Sequence, residues 1–321
     1  MTTDKNFSGR ARYQIVGLYL GPVVAALMLM SDAPDGLSHV GWTTAACGVL
    51  MAIWWATEAV PIAVTALLPI VLFPLLGVAT IEDTVKPYSN KVIYLFLGGF
   101  IVAFAMQRWN LHRRIALNVL QVAGSNGRTL VGGFMLSSAL LSMWVMNTST
   151  TMMLLPIAVS IIAVIHKTVD GLSDTGKDDF QYSLLLGVAY GATIGGMATL
   201  VGTAPNAMLA AFMQETYGTD IDFSSWMLVG LPLSALMLPL AWVVLTRVAF
   251  KVDFHTSDEG RATLRRLKED LGKIKTPEKR VAVVFTLMAL TWVFRPFLVN
   301  LPGLSALDDS GIAMAGGIAL F

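Results

Sequence analysis

Residues 130–165 constrain this chain more than any other stretch. The segment is apolar at both ends but carries Met146, Asn147, Thr148, Ser149, Thr150 and Thr151 at its middle. As one helix it would be roughly 50 Å long, against a hydrocarbon core of about 30 Å, with its polar centre in lipid. Two full crossings would need about 40 apolar residues. The sequence therefore predicts a re-entrant hairpin of two half-length helices meeting at the polar run, with its interrupted backbone buried against other helices.

The argument assumes a bilayer, and composition supplies one. Of 321 residues, 55% are hydrophobic and 13% charged, and the mean hydropathy is +0.67, well outside the range of soluble globular proteins. The sequence thus predicts an all-α integral membrane protein. Cys47, the single cysteine, rules out an intramolecular disulfide or a cysteine metal cluster within these residues. Residues 1–13 are polar and contain Lys5, Arg10 and Arg12, and the apolar run 15–30 that follows has no small-residue cleavage site, so it reads as a first membrane helix.

Further apolar segments are expected at 42–57, then from a reversal at Glu58 to Pro61 up to about Val78, and at 92–106, where Gly98 and Gly99 permit a close helix contact. Residues 107–128 are basic and amphipathic and are expected at the interface. Beyond the hairpin, 184–213 is apolar but interrupted by GATIGGMATLVGTAPN at 191–206, too rich in Gly, Thr and Pro for one continuous helix. Membrane helices follow at 226–250 and 281–299, separated by a charged segment, 251–280. A final apolar run of about eleven residues from Gly311 is too short to cross a bilayer, so the chain is expected to be incomplete.

The loop charges test the hairpin. Lys and Arg number three in 1–13, four in 107–130, two in 166–182 and nine in 251–280, against none in 31–40, two in 79–91, none in 214–224 and none in 300–310. With 130–165 re-entrant, all the basic loops fall on one side, which the positive-inside rule makes cytoplasmic together with the N-terminus. A full crossing there would force the nine-charge loop outside.

At the hairpin tip, Asn147 and Thr148 offer uncharged donors and acceptors beside the N-terminus of the returning helix, where free N–H groups and the helix dipole suit an anion. Such side chains often only glue helices together, but six consecutive polar-capable positions exceed what glue needs. In the second interrupted element, Gly195, Gly196, Thr199, Gly202, Thr203, Pro205 and Asn206 expose oxygens that suit a hard alkali cation. No Lys or Arg lies between Arg128 and Lys167 or between Lys177 and Arg247, so a bound anion would be balanced by helix termini and cations. This points to cation coupling.

Proton exchange normally needs a carboxylate within the membrane, and only Glu58 falls there, at a reversal that suits a structural role. The run GLSDTGK at 171–177 imitates a phosphate-binding loop, but Asp178 stands where Ser or Thr is required and no strand precedes it. The four histidines lack metal spacing. No nucleophile–base pair is visible, which disfavours a membrane enzyme.

Four segments, WWATEAVPIAVTALLPIVLFPLLGV (54–78), FLGGFIVAFAMQRWNLHRRIAL (96–117), LSMWVMNTSTTMMLLPIA (141–158) and IGGMATLVGTAPN (194–206), resemble in order and spacing the signatures of the divalent-anion/sodium symporter family. The resemblance implies an inverted-repeat transporter that forms a homodimer in the bacterial inner membrane, with a scaffold domain and an elevator-type transport domain. On this reading residues 1–128 are scaffold and interfacial helix, 129–250 belong to the transport domain, and 251–321 are a linker and the start of an incomplete second repeat. Asn147 and Thr148 match the end of a Ser-Asn-Thr motif, and Asn147, Thr148, Thr203 and Pro205 are the implied substrate contacts. Ser142, Met146, Asn147, Gly195, Gly196 and Thr199 correspond to a sodium site, although Met146 stands where the family has serine. The implied cargo is a small divalent anion, a C4-dicarboxylate before citrate or sulfate, coupled to sodium. No organic cofactor and no nucleic acid is implied. An anion exchanger, or an oxyanion or sodium/proton carrier of similar hairpin architecture, is the alternative.

Overall fold

The computed structural model describes residues 10–122, 126–169, 172–254 and 258–321, and these are helical almost throughout. The helices are α1 (Arg12–Met30), α2 (His39–Thr57), α3 (Ile62–Thr65), α4 (Leu68–Leu75), α5 (Ile81–Val85), α6 (Lys91–Arg108), α7 (Leu111–Val122) and α8 (Gly127–Ser142). They continue with α9 (Asn147–Thr168), α10 (Asp174–Gly196), α11 (Ala204–Tyr217), α12 (Phe223–Val243), α13 (Asp258–Glu269), α14 (Thr276–Leu298) and α15 (Asp309–Ile318). Among the described residues six helical segments are long and apolar enough to cross a membrane: Arg12–Met30, His39–Thr57, Ile81–Arg108, Asn147–Thr168, Phe223–Ala249 and Thr276–Leu298. The chain is an integral membrane protein. It divides into two compact units, residues 1–90 and 91–321.

In the first unit α1 and α2 form an antiparallel pair. Gly17 lies against Thr57 and Gly21 against Leu50 and Trp54, while at the other end the Trp42 indole donates to the Met28 carbonyl at 2.8 Å. The expected reversal after α2 is present: Glu58 takes the left-handed conformation at φ 47°, and its N–H reaches back to the Trp54 and Trp55 carbonyls. The apolar run that follows divides into the short α3 and α4, and the segment Ile62–Leu75 is shorter than a bilayer requires.

The second unit has two large cores and a small one around Met106, Leu111 and Val281 among the described residues. One large core gathers buried apolar side chains from α7 to α10 and α13, among them Leu117, Phe134, Ile161 and Leu184. The other joins α6, α12, α14 and α15 through Leu95, Phe223, Trp292 and Ala313. Glycine decides how closely the helices approach. A Cβ at Gly98 would collide with the Ala313 backbone, so α6 and α15 touch main chain to main chain there, whereas Gly99 has open space at the same position.

On α10, Gly187, Gly191 and Gly195 recur every fourth residue and therefore share one face. That face meets Val131, Met135 and Ala139 of α8, where a Cβ at Gly191 would stand 2.5 Å from the Met135 carbonyl. This contact brings the C-terminal ends of α8 and α10 together.

Candidate functional site

The two interruptions expected from sequence are both present, each narrower than expected. The first is four residues long, Met143 to Met146, so the polar run forms the first turn of α9 and not the turn itself. At 22 residues α9 is longer than half a crossing. The second interruption covers 197–203, so GATIGG at 191–196 completes α10, whose glycines serve helix packing.

What holds the first interruption open is Trp144. Its ring stacks on Phe223 at 5.9 Å and Trp292 at 6.4 Å, and meets Phe285 edge-on at 5.1 Å. An indole drawn into this aromatic group cannot continue along α8, and the chain turns. Ser142, fully buried, then donates across the turn to the Asn147 side-chain oxygen at 2.6 Å.

The second interruption is held by side chains that take up its loose carbonyls. Asn206, buried in the first turn of α11, donates both amide hydrogens, to the Gly196 carbonyl at 2.9 Å and the Thr199 carbonyl at 2.8 Å. From α12, Ser234 donates to the Ile194 carbonyl at 2.7 Å and Trp226 to the Met197 carbonyl at 3.0 Å. The Ile194 and Thr199 carbonyls also accept from the Met197 N–H at 3.3 Å and the Gly202 N–H at 3.4 Å, which leaves a second lone pair on the Gly196 and Met197 carbonyls.

The two interruptions meet. A Cβ on Gly196 would overlap the Asn147 side-chain oxygen, and the Thr199 hydroxyl donates to the Met143 carbonyl. The junction therefore collects two helix C-termini, of α8 and α10, and two helix N-termini, of α9 and α11. C-termini present carbonyls and partial negative charge; N-termini present N–H groups and partial positive charge. Ser142, Asn147, Gly196, Thr199 and Asn206 carry no ionisable group, so the site's electrostatics come from backbone and helix ends.

Of the residues expected at a site, Ser142, Asn147, Gly195, Gly196 and Thr199 come together here, with Gly195 pressed against Ala139. Met146 precedes α9 with its side chain half exposed, at 48%, while its carbonyl accepts from the Thr150 N–H at 3.0 Å. Thr148 is exposed on the first turn of α9. Thr203 and Pro205 open α11, half-buried and exposed respectively, and are not drawn into the hydrogen bonds between the two interruptions. Trp144, Trp226 and Ser234 were not legible as site residues. The sequence offers Asn206 only as one of several exposed oxygens of the second interruption, whereas the structure makes it the clamp.

Comparison with known proteins identifies a family. The family model described as "Sodium:sulfate symporter transmembrane region" matches residues 13–321. A protein of Staphylococcus saprophyticus named sodium-dependent dicarboxylate transporter SdcS is 40% identical over 312 residues, covering 96% of this chain and 60% of its own length. The protein of the same name from Staphylococcus aureus strain USA300 is 39% identical over 310 residues, with the same two coverages. The chain thus spans about 60% of the length of these relatives.

Proposed function

The chain belongs to the sodium:sulfate symporter family, and from that premise we propose that it serves a secondary active transporter that couples sodium movement to uptake of a small divalent anion, a C4-dicarboxylate by preference. It is a carrier and not an enzyme. The observation that carries this reading is the meeting of Ser142 and Asn147 with Gly196 and Thr199, where oxygen-bearing helix C-termini adjoin N–H-bearing helix N-termini. Such a junction suits a hard cation and an anion side by side without any basic side chain. The relatives' name, sodium-dependent dicarboxylate transporter, supports the choice of both.

Sodium is held by oxygens from Ser142, Asn147, Gly195, Gly196 and Thr199, with the Met146 carbonyl in reach of the same turn. The substrate carboxylate is met by Asn147 and Thr148 at the start of α9 and by Thr203 and Pro205 at the start of α11. Residues 129–250 are the moving part of an elevator against a scaffold of 1–128, in a homodimer of the bacterial inner membrane with a cytoplasmic N-terminus. The loop charges support a re-entrant passage through α8 and α9.

Uptake of labelled succinate, citrate and sulfate into proteoliposomes, with and without an inward sodium gradient, tests the function. Succinate uptake that requires sodium is expected. Exchange that proceeds equally without sodium would replace the symporter by an antiporter. Single cysteines replacing Lys167 and Lys177 in a Cys47→Ala background test the hairpin, with labelling by impermeant maleimide expected from the cytoplasmic side alone.

A further inference from the structure

We propose that residues 272–280, the loop 272–275 together with the first turn of α14, form a docking surface for anionic phospholipid headgroups. The segment opens a 23-residue apolar helix and so lies at the boundary between membrane and water. Lys273, Lys275, Lys279 and Arg280 are all exposed there, and none forms an ion pair among the described residues.

The one carboxylate of this segment is withdrawn from them. Glu278 is buried and receives the Arg114 guanidinium of α7 through two hydrogen bonds, of 2.5 and 3.1 Å. The same guanidinium donates to the Gly272 carbonyl at 3.1 Å, and the Lys275 N–H reaches Glu278 at 3.4 Å. Gly272 takes φ 62°, a conformation that costs glycine little, and lets the chain turn back over Arg114. The loop is thereby held in shape before any partner arrives, so little ordering entropy opposes binding.

Ile274 distinguishes a lipid from a soluble anion. It is 40% exposed between Lys273 and Lys275. An aliphatic side chain between two cations at a membrane boundary inserts below the headgroups while the ammonium groups meet the phosphates. The neighbouring helix α13 has no such bias: its Leu264 and Leu267 turn into the core, its Lys268 donates to Gln121 of α7 at 2.6 Å, and exposed Arg265 and Arg266 are offset by exposed Glu269 and by Asp270 just beyond the helix. The uncompensated charge belongs to residues 272–280.

The test follows thermal unfolding of the purified full chain in neutral detergent while phosphatidylglycerol, phosphatidylcholine or inorganic phosphate is added, at low and high salt. Stabilisation by phosphatidylglycerol alone is expected, weakening at high salt. Each removed cation should lower the apparent affinity roughly fivefold, so Lys273→Gln/Lys275→Gln/Lys279→Gln/Arg280→Gln should abolish the preference and Arg265→Gln/Arg266→Gln preserve it. Should the quadruple variant not fold, Ile274→Ser and Lys275→Gln singly should each weaken the response several-fold. Equal stabilisation by phosphatidylcholine or by inorganic phosphate, or a preference retained in the variants of residues 272–280, would overturn the proposal.

Discussion

The Ser142 hydroxyl donates to the Asn147 side-chain oxygen at 2.6 Å across a four-residue turn, and that same oxygen rests against Gly196 of another helix. One side chain thus belongs to both interruptions. Asn147→Ala removes it from the anion's side and the cation's side together. A hydrogen bond to a charged group is worth about 1.5–3 kcal/mol, so apparent substrate affinity should weaken about tenfold or more in a protein that still unfolds cooperatively. Ser142→Ala should chiefly raise the half-saturating sodium concentration. Flux assays over a grid of substrate and sodium concentrations separate the two effects, and unchanged constants in both variants would reduce these residues to helix glue.

Gly196→Ala should resemble Asn147→Ala in its effect on transport, because the added methyl would occupy the place of the Asn147 side-chain oxygen. Backbone strain is not the reason, since Gly196 sits in a helical turn. A variant with wild-type kinetics would mean that Asn147 can give way at little cost.

Gly98 and Gly99 are adjacent on α6 yet should respond oppositely to alanine. Gly99→Ala meets no atom within 4 Å and gains up to about 1 kcal/mol of helix propensity. Gly98→Ala drives a methyl into the Ala313 backbone and should lower the unfolding midpoint. Thermal unfolding of the two variants in one detergent makes the comparison, and like responses would contradict the α6–α15 contact.

Met146→Ser should leave thermal stability unchanged, because the thioether is half exposed and fills no cavity. A thioether is a weak ligand for a hard cation, so a hydroxyl at this position should lower the half-saturating sodium concentration several-fold, on the scale of a contact of about 1 kcal/mol. An unaltered sodium dependence would place residue 146 outside the ion site.

His112 on α7 should make stability depend on pH in the mildly acidic range. Burial pushes its imidazole below the ordinary value of 6.5; the hydrogen bond to the Met106 carbonyl at 3.1 Å opposes this, and the charge of Arg113 adds to it. A histidine whose folded pKa is depressed binds more protons when unfolded. Its contribution is therefore complete above about pH 6.5 and declines as pH falls from there toward the folded value. Melting temperatures of wild type and His112→Asn between pH 5 and 8 test this, and parallel profiles would remove His112 as the cause.

The membrane class, most of the long helices and the existence of two interruptions were legible in the chain, but not the full length of α9 or the start of α10 within 166–182, which was expected as a loop. The legible features follow from properties of consecutive residues: apolar length against bilayer thickness, a polar run inside an apolar one, and a cluster of Gly, Thr and Pro. The packing face of Gly187, Gly191 and Gly195 was not legible: the latter two fall in the run 191–206 expected to interrupt the helix, and only their contact with α8 shows what they do. Which side chains meet was decided only by tertiary packing. Thr199 reaches Met143 across 56 residues of sequence because the glycine face of α10 lets α8 approach. Trp144 finds its partners on α12 and α14, more than 70 residues away, and its stacking fixes where α8 ends. Asn206 becomes a clamp only once the Gly196 and Thr199 carbonyls are turned toward it. Hydrophobic length and helix propensity act locally and can be read in order along a chain. Pairing between distant hydrogen-bonding groups depends on how closely two helices can approach, and that distance exists only in the folded protein.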